Sequence, residues 1–187
     1  MNLFLIVLAV VVAVAGLIIL IYNGLVMKRQ RCNQSFADVD VQLKQRQNLI
    51  PNLVETVKGY ASHEQETFQQ VIAARNAAQA ANTAGQMSQA EGALGAALGK
   101  LFALSEAYPD LKANTNFLQL QQELSMIEDK LAAAYRFYNS AVQDYNTARE
   151  QFPGSIIAGS FNFEARDFFD VGAERRAAMD EPPKVGF

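Results

Sequence analysis

His63 stands directly before Glu64, a pair that invites a metalloprotease reading. That chemistry needs a second histidine four residues on, and position 67 is threonine. The chain holds 1 His and 1 Cys, too few imidazoles and thiols for a zinc site. Cys32 as a nucleophile would need a nearby base. His63 lies 31 residues away along what reads as one helix, about 46 Å at 1.5 Å per residue. Glu123, Glu128 and Asp129 resemble a carboxylate cluster, yet a di-iron bundle also requires Glu-x-x-His pairs, which are absent. Glu128 and Asp129 adjoin Lys130 and read as a solvated face. Gly92, Gly95 and Gly99 fall in an alanine-rich stretch with no preceding strand, so no phosphate loop is expected. The single cysteine excludes an intramolecular disulfide. The expectation is a protein that is not an enzyme, with no catalytic, cofactor-binding or metal residues.

The elements that would carry any site begin with an apolar run. Of the 20 residues from Leu3 to Tyr22, 15 are Leu, Ile, Val or Phe and none is charged. Twenty helical residues rise about 30 Å, the thickness of a bilayer's hydrocarbon core. Ala13-Val14-Ala15 offers a signal-peptidase pattern, but no Lys or Arg precedes the run and it continues through Ile21, so a permanent anchor is expected. Lys28, Arg29 and Arg31 follow it as a membrane-surface collar. By the positive-inside rule they place the N-terminus outside and the C-terminal domain in the cytoplasm. Net charge is -3, with the excess acid on the body beyond the collar. That distribution does not suit nucleic acid, which would call for a basic stripe on the body.

The body reads as helix. Phe117, Leu124, Leu131, Tyr138, Tyr145 and Phe152 form one heptad row, and Leu120, Ile127, Ala134, Ala141 and Ala148 the second. Asn116 is the expected N-cap, and Pro153-Gly154 the stop. A second seam runs from Leu25 to Ala81 through Phe36, Leu43, Ile50 and Val57, with a drift at Phe68 and Ile72. Pro51 lies inside it and predicts a kink, with Asn48 and Asn52 able to satisfy the freed carbonyl near position 47. Residues 79 to 94 read as a hairpin or loop, and a shorter helix covers Ala93 to Ala107. From Ile156 onward an extended aromatic tail is expected to lie in a groove, closing on Pro182-Pro183 and Phe187. The fold class is therefore all-α: one N-terminal transmembrane helix, then an antiparallel bundle of long helices with an extended C-terminal tail. The expected divisions are anchor 1–24, bundle 25–155 and tail 156–187.

Several of these stretches resemble the bacterial LemA family. They are Tyr22-Asn23-Gly24-Leu25-Val26, Asp40 to Lys44, Asn48 to Tyr60, Glu106 to Asn114, Ala132 to Asn146 with its Tyr138-Asn139 and Tyr145-Asn146 pairs, and the Pro-Lys-Val-Gly-Phe ending. Cys32 departs from the small aliphatic residue expected there. The resemblance implies a single-pass protein of the bacterial inner membrane with a cytoplasmic helical bundle, and it carries over no catalytic residue. The functional expectation is a membrane-anchored helical scaffold that contacts lipid, self-associates and organises or shapes membrane. Phe161, Phe163, Phe168 and Phe169 are its candidate oligomer contacts. The alternative is an adaptor that docks a cytoplasmic or membrane partner protein.

Overall fold

The computed structural model describes residues 2–170, so the closing prolines and Phe187 lie outside the described residues. Among the described residues six helices follow in order: α1 (Asn2–Lys58), α2 (Gln65–Ala80), α3 (Ala84–Ser105), α4 (Pro109–Lys112), α5 (Thr115–Glu150) and α6 (Gly154–Ser160). The described residues divide into two compact units, residues 2–37 with Arg136–Asp167, and Asp38–Tyr135 with residues 168–170.

In the first unit, α1 carries the apolar run, which is long and apolar enough to cross a membrane. Its side chains from Leu3 to Leu20 are exposed, as suits a segment with lipid for solvent. Beyond it, α5 packs antiparallel to α1. The Cys32 thiol donates to the Ala141 carbonyl at 3.2 Å, and one turn on Phe36 meets Tyr138 with ring centroids 5.8 Å apart. The small Ala141 permits this close backbone approach while the tyrosines of the facing row fill the space beside it. Phe152, the last residue of that row, lies past the end of α5 and is exposed.

The expected tail begins instead with α6. Gly154 is buried, and a Cβ there would run into the Ala148 carbonyl oxygen. The missing side chain thus lets α6 fold tightly against the end of α5. Asn162, at φ 53°, ends α6 in the left-handed conformation, and the Phe163 N–H reaches back to the Ala158 carbonyl at 3.0 Å. This is a Schellman stop, with asparagine where glycine is commonest. From Phe163 to residue 170 the chain has no regular secondary structure.

In the second unit, the expected helix from Leu25 to Ala81 is two helices. α1 ends at Lys58, and α2 starts at Gln65. The Tyr60 and Ala61 N–H groups both turn back to the Val57 carbonyl, and buried Ala61 plugs the end. The drift of the apolar stripe at Phe68 marks this new helix. α2 doubles back along α1: Lys58 lies 6.0 Å from the Phe68 ring centre, and Arg75 reaches Gln47. The expected loop from 79 to 94 shrinks to residues 81–83. Thr83 caps α3 by accepting from the Gln86 N–H, while the Gln86 side chain accepts from the Asn82 N–H. That is close to a capping box, and alanine's high helix propensity extends α3 well before Ala93. α5 starts earlier than expected, with Asn114, not Asn116, accepting from the Phe117 N–H at 3.0 Å. Ile50, Leu53, Val57, Val71, Leu94, Leu101, Leu111 and Phe117 form the core of this unit.

Candidate functional site

Two polar constructions stand out, one in each unit. In the first unit the irregular segment after α6 is held by its backbone. Tyr145, fully buried, donates from its hydroxyl to the Glu164 carbonyl at 2.9 Å. Tyr138 does the same to the Asp167 carbonyl at 3.0 Å. Between them Asn146 makes a two-bond pair with Arg166: its Nδ2 donates to the Arg166 carbonyl at 2.9 Å, and its Oδ1 accepts from the Arg166 N–H at 3.0 Å. One side-chain amide thus does the work of a neighbouring strand. Arg166 in turn donates to Asn33 Oδ1 at 2.8 Å.

Burial pushes the Tyr138 and Tyr145 phenols above their ordinary range, opposed by Arg166 at Tyr138 and by Arg29 and then Arg166 at Tyr145. They are therefore protonated donors at neutral pH, the form a carbonyl needs. Burial likewise raises the Cys32 thiol, so it is a weak donor and not an activated nucleophile. The arrangement is a clamp on a peptide backbone. Its aromatic floor is Phe163, buried under the Arg29 guanidinium at 5.0 Å and the Tyr22 ring at 5.5 Å.

In the second unit, Arg46 and Glu91 form a buried ion pair at 2.7 Å. Arg46 also reaches Glu128 at 2.6 Å, and buried Gln47 donates to Glu91 at 3.4 Å. Glu128 is therefore a ligand of Arg46 and not merely part of a solvated face. Arg46 Nε is buried with no hydrogen-bond partner among the described residues. Beside this cluster Pro51 lacks the N–H that would bond the Gln47 carbonyl. Arg75 supplies the missing donor from α2, Nε to oxygen at 2.8 Å. Asn48 and Asn52, expected in that role, are exposed, and α1 runs through Pro51 without a break. A cavity of about 320 Å³ adjoins, lined among others by Asp40, Lys44, Gln47 and Met87.

The other expected residues are scattered. His63 is exposed in the turn between α1 and α2, so the single-helix separation from Cys32 does not apply. Glu123 accepts from Gln119, and Glu64 accepts from the Tyr108 hydroxyl. Among the described residues no group of 3 or more His, Cys, Asp or Glu side chains could hold a metal ion. In the collar, Lys28 and Arg29 are half-buried and Arg31 is exposed, 5.7 Å from the Phe137 ring centre. Phe163 and Phe169 are buried, Phe169 against Tyr135 at 4.9 Å between ring centres, whereas Phe161 and Phe168 are exposed. Sequence reasoning misses the clamp, the Arg46–Glu91 pair and Arg75. The heptad spacing of Tyr138 and Tyr145 points to packing alone.

Comparison with known proteins agrees with the architecture. The chain is 23% identical to magnetosome protein MamQ 2 of Paramagnetospirillum magneticum, over 92% of this chain and 71% of that protein. It is 23% identical to magnetosome protein MamQ of Magnetospirillum gryphiswaldense, over 79% and 64%. It is 24% identical to protein LemA of Metamycoplasma hominis, over 84% and 73%. The LemA family model matches residues 35–187. An all-helical, membrane-associated chain matched over most of its length in this way belongs to the LemA family.

Proposed function

We propose that this protein is a membrane-anchored, non-enzymatic helical scaffold that self-associates at the cytoplasmic face of the bacterial inner membrane and organises or shapes it. The observation that carries the reading is the continuity of α1. The apolar run passes into the packed region without a linker, since Asn2–Lys58 is one helix. A module that searches for a partner gains from a flexible tether. A scaffold gains from a fixed exit from the bilayer. Exposed apolar side chains supply contact surface, among them Leu118 and Met126 on α5. Tethering in the bilayer plane raises the effective concentration for their association. The polar constructions described above bind the protein's own backbone and buried charges, a structural use that accords with a non-enzymatic role.

Sedimentation equilibrium of the full chain in a density-matched detergent tests this. The expected result is a protein mass several times the 20.5 kDa of one chain. A mass of one chain at all loadings would overturn it.

A further inference from the structure

A second apolar surface lies beside the span. Tyr22 is the last residue of the apolar run, and its ring packs edge-on against Phe161 at 5.0 Å and Phe163 at 5.5 Å between centres. α6 and the turn after it are therefore held at the level where α1 leaves the hydrocarbon core. Gly154, Ile157 and Ala158 face inward. Phe152 is 81% exposed, Ile156 59% and Phe161 53%, and Phe161 is the one of them that touches Tyr22. Three large apolar side chains uncovered within ten residues of that contact would be costly in water. They suit the boundary between headgroups and acyl chains, where aromatic residues gather. The nearby Arg149 has Glu150 as its carboxylate partner, 3.1 Å away, so that pair adds no net repulsion from an anionic lipid surface. The collar cations Lys28 and Arg29 lie on the same unit and favour that surface.

We infer that Phe152, Ile156 and Phe161 form an interfacial anchor, inserted into the headgroup–acyl boundary of the bilayer that α1 spans. The depth is that of an in-plane amphipathic segment, about 5–10 Å. The inference rests on the membrane reading of α1 and not on self-association.

The sequence contains no tryptophan, so each single substitution to Trp creates a sole fluorophore in the full chain. Phe152→Trp, Ile156→Trp and Phe161→Trp are reconstituted in phosphatidylcholine–phosphatidylglycerol vesicles with acyl chains brominated or not. Val12→Trp in the span and Phe137→Trp on α5 are the references. The expected result is blue-shifted emission at 152, 156 and 161 that bromination quenches, less than at 12, with no quenching at 137. Quenching at 12 with red-shifted, unquenched emission at the three sites overturns the anchor. Blue-shifted but unquenched emission there means that a second copy covers the patch, and overturns it equally. Absence of quenching at 12 defeats the membrane reading itself, and the anchor with it.

Discussion

Arg46 and Glu91 are 3% and 7% exposed, and each is the other's main solvent. Truncating one member of such a pair strands a buried charge, which costs about 3–5 kcal/mol. Arg46→Met, which leaves buried Glu91 with only the neutral Gln47 amide, should therefore lower the urea-unfolding free energy by that amount, whereas Glu91→Ala should cost less because Arg46 keeps Glu128 at 2.6 Å. Replacing both, as Arg46→Met with Glu91→Leu, should recover most of the loss, since a packed apolar pair needs no desolvation. Glu128 is 43% exposed at its side chain, so solvent screens it and Glu128→Ala should cost only about 0–1 kcal/mol. A full-size loss in the double variant would mean that the pair is needed for more than charge balance. Titration gives an independent check. Cys32 and the two tyrosines keep their protons to higher pH than ordinary thiols and phenols do, because burial disfavours their anions. The native state thus binds more protons than the unfolded state at alkaline pH. These groups leave stability unchanged below the ordinary thiol range and reduce it as pH rises through that range and the phenol range above it. Melting temperature against pH should fall on the alkaline side, less steeply in Tyr145→Phe. A rise there would contradict the burial argument.

α5 and α6 are joined by a contact that one methyl group would break. Gly154→Ala meets the Ala148 carbonyl, and overpacking of this kind costs about 1–3 kcal/mol. Hydrogen exchange after α6 should speed up with it. Asn146→Ala removes both bonds to Arg166, a loss of roughly 1–3 kcal/mol for the clamp, and should expose Arg166 to trypsin. Unchanged cleavage would mean that Tyr138 and Tyr145 suffice. α1 and α2 are coupled through Pro51. Arg75→Ala should destabilise the native chain, but less in a Pro51→Ala background, where the restored backbone N–H at position 51 donates to the Gln47 carbonyl. A double-mutant cycle with coupling of about 0.5–1.5 kcal/mol is expected. Zero coupling would detach Arg75 from the proline. Of these elements, the heptad rows of α5 are legible because apolar period acts locally, whereas its cap is not, since Asn114 and Asn116 are alike in type and only Asn114 accepts from the Phe117 N–H. The split between α1 and α2 was masked because Val57 and Phe68 belong to different helices that bury the same kind of side chain. The clamp was not legible, since Tyr138 and Tyr145 in a core row give no sign that their hydroxyls reach residues 164 and 167. Arg46 was invisible as a core residue because its partner Glu91 lies in the part of α3 that reads as an alanine-rich loop.

For the whole molecule, the proposed self-association in the membrane would use exposed apolar side chains. Met126 is exposed on α5, so Met126→Glu should reduce the oligomer mass while leaving stability within about 0.5 kcal/mol of the unaltered chain, as surface substitutions do. A fall in stability instead would place Met126 in the fold and not at a contact. The most direct measurement is energy transfer between donor- and acceptor-labelled full-length copies in vesicles as lipid is added at constant protein. A specific assembly keeps its transfer when surface density falls, and that persistence is the result expected. Transfer that declines in step with surface density, as for independent single spans meeting by chance, would contradict the account.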